Sequence, residues 1–329
     1  MNMKIFALKH NNNILKISSS GGAYLALAET LFNLHPKEVV VFGVVFNDEM
    51  LPEFKSASTI EESRVFCGSK YVFANPQSIL EELKKSLTDG KYVLFVGTPC
   101  NVHTVVNYLE KTNTDLERLY TVDLICNGTP SASFWKEYVK WLEGKFGEKL
   151  LDFKFRKKGG KNNPYLTEAV FSGNHVVSDS VWTACYNQAF LKKLSIRKGC
   201  FNCPYKSLER EADITIGDFW GISVVLTDFN EKDEVSEVLV NSEKGKLLID
   251  NINPIIKIME CKNEAFLNYQ QNLIKNPSFP SEYETFWKYF NEKGIEHALF
   301  LFTDAGKFGA LKYSIKKLAR VIGVTKLRR

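Results

Sequence analysis

The stretch KYVLFVGTPCNVHTVVNYLEKTNTDLERLYTVDLICNGTP, from Lys91 to Pro130, decides the fold class. Tyr92–Val96 is an apolar run of strand length that ends in a glycine-proline turn. A helix follows Pro99 through Leu109, a second strand spans Leu119–Ile125, and another glycine-proline turn closes the unit. Strand, helix and strand in succession argue for a parallel or mixed sheet covered by helices.

Working outward, Val39–Phe46 is β-branched and continuous, as a strand buried on both faces should be. A helix is expected at Pro76–Leu87 and another through Tyr24, Leu25, Leu27, Leu31, Phe32 and Leu34. At the N-terminus, Lys4–Leu8 and Ile14–Ile17 flank His10-Asn11-Asn12-Asn13 and read as a hairpin. Downstream, a helix at Ser131–Glu143 precedes two longer strands, Leu151–Arg156 and Thr167–Val177, around the loop Lys157–Asn163. Asp213–Ile216, Val235–Val240, Glu243–Asp250 and Ile255–Met259 resume the α/β rhythm, and from Asn263 only helices are expected. The fold class is therefore α/β, a mixed sheet covered by helices with a helical C-terminal extension. Regions are expected at residues 1–95, 96–262 and 263–329.

At 329 residues, 44% hydrophobic and 25% charged, the chain can bury a substantial core. Residues 305–329 carry eight Lys or Arg and no acid, so the first 304 hold 35 basic and 38 acidic side chains, a net of −3. That body is not a nucleic-acid surface by charge. The longest apolar run falls far short of the roughly 20 residues a membrane helix needs, and no cleavable leader is evident, so a cytoplasmic protein is expected. No Gly-Lys-Ser/Thr phosphate loop and no His-Glu-x-x-His helix occurs, which removes the commonest nucleotide hydrolases and zinc proteases.

The cysteines number seven, an odd count that argues against a disulfide framework and for metal or redox chemistry. Cys200-Phe201-Asn202-Cys203 lets two thiolates turn onto one centre, whether zinc, an iron–sulfur cluster or a dithiol. Cys100 and Cys126 each stand at the end of an expected buried strand beside a glycine or proline turn, where open α/β sheets bind cofactors. Four thiolates could converge there, and the alternative is small buried hydrophobes. Cys67, Cys185 and Cys261 lack that setting and read as inert thiols.

Ser18, Ser19, Ser20, Gly21 and Gly22 form a polar glycine turn that either presents N–H groups to a phosphate or simply caps the next helix. Gly68, Ser69, Lys70 and Tyr71 add a cation and an aromatic ring to what reads alone as a turn. His103 reads as a partly buried polar residue, and Asp213–Gly221 as a strand ending in a tight aromatic turn.

Taken together, Ser18–Gly22, Gly68–Tyr71, Gly97–Cys100, Asp123–Ser131, Cys200–Cys203 and Asp213–Gly221 resemble the beta-subunit family of coenzyme F-420 hydrogenases and dehydrogenases. The wider family includes a plant reductase of hydroxymethyl chlorophyll. The likeness covers roughly residues 1–260. It implies an iron–sulfur flavoprotein in which Cys100, Cys126, Cys200 and Cys203 hold a 4Fe-4S cluster, while Ser18–Gly22, Gly68–Tyr71, Gly97 and Thr98 contribute to an FAD pocket. Asn127 stands where members commonly have histidine, which substitutes a non-titrating amide for a proton-handling group. Many bacterial members begin with a ferredoxin-like domain, and Met1-Asn2-Met3 leads almost directly into the first strand, so a separate ferredoxin-type partner is expected.

Two other functions compete: a redox-silent zinc- or cluster-binding interaction module, and a reductase of a small organic or sugar-linked substrate. Phe308–Ile322 is expected to be an amphipathic basic helix, with Leu311, Ile315, Leu318 and Ile322 on one stripe. It either packs on its own domain or makes weak contact with an anionic membrane surface or an acidic partner.

Overall fold

The computed structural model describes residues 4–157, 166–229, 234–306, 311 and 313–315. In chain order the elements are β1 (Lys4–Lys9), α1 (Asn12–Ile17), α2 (Ala23–Leu34), β2 (Val39–Phe46), β3 (Pro52–Ala57), α3 (Ile60–Ser63), α4 (Leu80–Thr88), β4 (Tyr92–Gly97), α5 (Pro99–Lys111), β5 (Leu119–Leu124) and α6 (Ala132–Phe146). They continue with β6 (Leu150–Lys157), β7 (Leu166–Phe171), β8 (Val176–Ser178), α7 (Val181–Leu191), β9 (Ile214–Asp218), α8 (Ile222–Val225), β10 (Ser236–Val240), α9 (Glu243–Asp250), β11 (Lys257–Glu260), α10 (Tyr283–Lys293) and α11 (Ile295–Phe302).

An unbroken apolar run belongs in a sheet whose two faces are both covered, because successive side chains point to opposite sides. In β2, Val39 and Val41 enter a buried layer with Leu27 and Leu31 of α2 and Leu248 of α9. Phe42 enters the opposite layer with Leu83 of α4 and Val102, Val105 and Leu109 of α5. Leu94 and Phe95 of β4 part in the same way. Each such burial contributes about 1.5–3 kcal/mol, so a register slip that inverted β2 would misplace every one of these contacts.

The main sheet has eight strands in the order β11-β1-β10-β9-β5-β4-β2-β3, and a second sheet of three has the order β6-β7-β8. The central strands β2, β4, β5 and β9 are parallel neighbours, so their C-terminal ends share one edge. β1 is antiparallel to β10, which is antiparallel to β9, so β1 delivers residues 10–22 to that same edge. The fold is the expected mixed α/β sheet, and it takes strands from both sides of residue 95.

The N-terminal hairpin is corrected. β1 pairs with β10 and β11, and Ile14–Ile17 lies in α1 instead of a strand. The Asn11 side chain accepts the N–H groups of Asn13 and Ile14, and this cap starts a helix where apolar flanks suggested a turn. Thr167–Val177 is likewise two strands, β7 and β8, with Asn174 at φ +58° in the turn between them. Sequence reading passed over β3 and α7.

The described helices after residue 263 pack on the body. Phe286, Ile295 and Leu299 of α10 and α11 pack into one core with Trp135 and Tyr138 of α6, Phe153 and Phe155 of β6 and Tyr186 of α7. Most of the expected Phe308–Ile322 helix lies outside the described residues. Of those described, Leu311 and Ile315 are helical and exposed, whereas Tyr313 is buried and its hydroxyl donates to Asp179 Oδ1 at 2.7 Å.

Candidate metal centre and adjoining turns

Three segments bring the strand-end cysteines together. β4 ends at Gly97, Thr98 caps α5, and Cys100 falls in the first turn of that helix. The cap is reciprocal with Asn101, whose amide also donates to Ala74 O at 3.0 Å, so the start of α5 is fixed from two sides. Thr98 Oγ1 lies 3.1 Å from Cys100 Sγ. Cys126 follows β5 and takes a hydrogen bond from the Gly128 N–H to its sulfur. Cys200 lies in the short 3-10 turn Lys198–Asn202 and Cys203 directly follows it; the segment is drawn against Gly128–Pro130 by a Pro130–Ile196 bridge and by Arg197 N–H donating to Thr129 O at 3.1 Å.

All four line one cavity of about 250 Å³, with Arg197, Tyr205, Lys206, Arg210 and Asn272 among the other walls. Among the described residues, no group of three or more His, Cys, Asp or Glu side chains could hold a single metal ion. Cys185 and Cys261 are buried elsewhere, and Cys67 ends a turn outside the cavity.

The walls are cationic. Arg210 Nη2 bonds Asp123 Oδ2 at 2.7 Å with both side chains almost wholly buried. Burial pushes the Asp123 carboxyl up to about 6, against the pull of Arg210. Lys206 Nζ donates to the carbonyls of Cys126 and Asn272. Burial pushes the Cys126 thiol up to about 11, with Lys206 the first group opposing that rise. Lys193 Nζ donates to Asn127 O at 3.3 Å, and Cys203 N–H donates to Asn276 Oδ1 at 3.1 Å. Sequence reading missed Lys206, Arg210, Asn272 and Asn276. The one local signal was two cations closely following Cys203, and the asparagines arrive only through the tertiary fold.

The turns at the same edge are differently employed. Ser19 Oγ accepts the Ser69 N–H at 2.6 Å, which joins the Ser18–Gly22 and Gly68–Tyr71 turns. Ser18 Oγ donates to Ile14 O, and Ser20 Oγ to Val235 O. A Cβ on Gly21 would stand 2.2 Å from Leu8 O and 2.3 Å from Ser236 N, so this glycine permits a backbone crossing. Gly22 precedes α2 without a side-chain cap, which leaves the first-turn amides of that helix open to an acceptor. Gly68 has φ +83°, and no heavy atom lies within 4 Å of where its Cβ would be. Lys70 Nζ turns inward to the carbonyls of Cys67, Phe66, Gly68 and Val65 at 3.1–3.5 Å, and burial lowers its pKa to about 8. Tyr71 stacks on Phe190 with ring centres 4.8 Å apart. Gly97 and Thr98 precede Cys100 at the end of β4, and neither lines the cysteine cavity itself.

Residues 90–264 match the family model for the C-terminal part of the beta subunit of coenzyme F420 hydrogenase/dehydrogenase. The chain belongs to this family. Its members are beta subunits of hydrogenases and dehydrogenases, and the chain is accordingly a redox subunit of the oxidoreductase class. Among solved structures, it is similar to a chain of the xenon-derivatised F420-reducing NiFe hydrogenase complex from Methanosarcina barkeri. The two share 17% identity at a TM-score of 0.52, covering 88% of this chain and 92% of that one. That likeness concerns the fold. No curated protein matches the chain. None of its described helices is long and apolar enough to cross a membrane.

Proposed function

We propose that this F420 hydrogenase/dehydrogenase beta-type subunit is an iron–sulfur flavoprotein, with Cys100, Cys126, Cys200 and Cys203 holding a 4Fe-4S cluster and the Ser19–Ser69 turns receiving FAD. The observation that carries the reading is one cavity lined by four cysteines from three separate segments. A zinc ion needs its thiolates about 2.3 Å from a single point. A cavity of about 250 Å³ lined by four cysteines has room for a body of several atoms. The donor set agrees, since thiolates are the ordinary ligands of such clusters. For the flavin, the supporting features are the uncapped start of α2 and the open side of Gly68.

FAD would supply exchange between two-electron and one-electron carriers, and the cluster would supply one-electron transfer. The chain's own contribution is placement. Thr98 and Asn101 fix the turn that carries Cys100, the Gly128 N–H polarises the Cys126 sulfur, and Lys206 ties the end of β5 to the segment at Asn272. Ser19 holds the Ser69 turn in register with the start of α2. Gly68, Gly97 and Thr98 complete the proposed flavin contacts, whereas Lys70 and Tyr71 shape the turn from behind. A ferredoxin-type protein would renew the electrons by docking near Cys200–Cys203; residues 1–95 would contribute to the flavin pocket, 96–262 to both cluster and flavin, and 263–329 would be a helical basic tail.

Anaerobic reconstitution with iron and sulfide tests the proposal. About four irons per chain, a visible shoulder bleached by dithionite, and flavin released on denaturation are expected. One zinc and no iron would overturn it in favour of a structural metal.

A further inference from the structure

Lys206 lies three residues after Cys203 and reaches across the cavity wall. Its ammonium donates to the carbonyl of Cys126 and to that of Asn272, which lies beyond residue 264 where the family match stops. Both acceptors are uncharged. Lys206 lines the same cavity as Cys126, Cys200 and Cys203, with Arg210 the other cation nearby.

The other cations of the wall are differently disposed. Arg210 is offset by Asp123 at 2.7 Å, and Arg197 lays its guanidinium over the Phe73 ring at 3.5 Å. Lys193, which lies outside the residues lining the cavity, reaches the carbonyl of Asn127 at 3.3 Å and stands over the Phe190 ring at 5.0 Å. Adding an electron to a thiolate-bound centre adds negative charge, and a fixed neighbouring cation stabilises that state in proportion to its nearness and burial.

We propose that Lys206 sets the reduction potential of the four-cysteine centre, its two carbonyl bonds holding an uncompensated positive charge against the sulfurs. The inference rests on the iron–sulfur reading above. It makes Lys206 a positioning residue that acts through the electrostatics of the cavity and ligates nothing.

The test is a redox titration followed by electron paramagnetic resonance on reconstituted full-length protein, comparing wild type, Lys206→Gln, Lys206→Arg and the control Lys198→Gln. Lys198 is exposed on the same turn and paired with Glu284 at 2.8 Å. Lys206→Gln should load iron like wild type but lower the reduction equilibrium constant about tenfold, a 59 mV fall for a one-electron couple. Lys206→Arg and Lys198→Gln should stay near the wild-type potential. If wild type takes up no iron, the reading and this inference fall together. If wild type loads and Lys206→Gln keeps the same potential, the inference fails and the reading stands. If Lys206→Gln cannot load iron, Lys206 is a latch needed for assembly, and its assignment as a potential-setting charge is overturned.

Discussion

The cysteine cavity and the serine-glycine turns share one edge of the main sheet, yet their polar groups stand in different states. Around the cavity, four cysteines and a cationic wall share one space. In the turns, Ser18, Ser20 and Lys70 are already bonded to the protein's own carbonyls, and Gly21 is filled by crossing backbone. Two motifs of similar appearance in sequence therefore differ in how much bonding capacity they keep for a ligand. What capacity the turns retain lies at Gly68 and at the uncapped start of α2.

The largest effect expected from this contrast is loss of the metal. Cys200→Ser or Cys203→Ser should lose most of the bound iron, whereas Cys185→Ser and Cys261→Ser, buried away from the cavity, should keep it. Iron analysis checks this, and four variants behaving alike would erase the distinction between cavity and core thiols. Next, Gly21→Ala should destabilise by about 3 kcal/mol or more, because its Cβ would meet backbone atoms at 2.2 and 2.3 Å. Denaturant unfolding reads that loss. Gly68→Ala should cost only about 1 kcal/mol through its positive φ and should instead weaken retention of flavin. Equal stability losses at the two glycines would show that both turns are structural.

A third effect concerns a buried carboxyl in β10, next to the strand residues that the Ser18–Gly22 turn contacts. Glu237 of β10 is fully buried beside Gln270, and burial raises its pKa from 4.5 to about 8. A folded-state pKa above the unfolded one means that the folded protein holds the extra proton, so the stabilisation is complete below about pH 4.5 and is lost as pH rises through about 8. The slope across that window should approach about 1.4 kcal/mol per pH unit. Glu237→Gln should flatten the profile, which thermal unfolding at several pH values will show. An unchanged slope in the variant would assign the dependence to other groups. The smallest effect belongs to the exposed pair Lys198 and Glu284, where Lys198→Gln should change stability by less than about 1 kcal/mol and leave iron content alone.

The sheet was legible because β2 and β4 are buried on both faces and read as unbroken apolar runs in the sequence. The four cavity cysteines were legible as residue types at strand ends and in a paired loop. Ile14–Ile17 was not, because its conformation follows from the Asn11 cap and from β1 finding partners in β10 and β11, more than 200 residues away in the chain. α7 was passed over because Thr183, Cys185, Tyr186, Asn187, Ala189 and Phe190 are buried around several sides of the helix, which blurs any single stripe. The two glycine turns announced a loop but not which of their groups the protein already occupies. Lys206 and Asn276 carried no periodic signal, since their roles depend on contacts 66 to 80 residues distant.

Asn276 has a consequence for where this protein can be divided. Its side chain accepts the Cys203 N–H, and Asn272 closes the same wall through Lys206. A chain ended at residue 264, the limit of the family match, would retain every cysteine yet leave Cys203 and Lys206 without these partners. Ligand content and structural completeness therefore have different endpoints in this sequence, and a fragment chosen by its motifs alone would leave the cysteine cavity open to water and oxygen on the side where its covering segment should be.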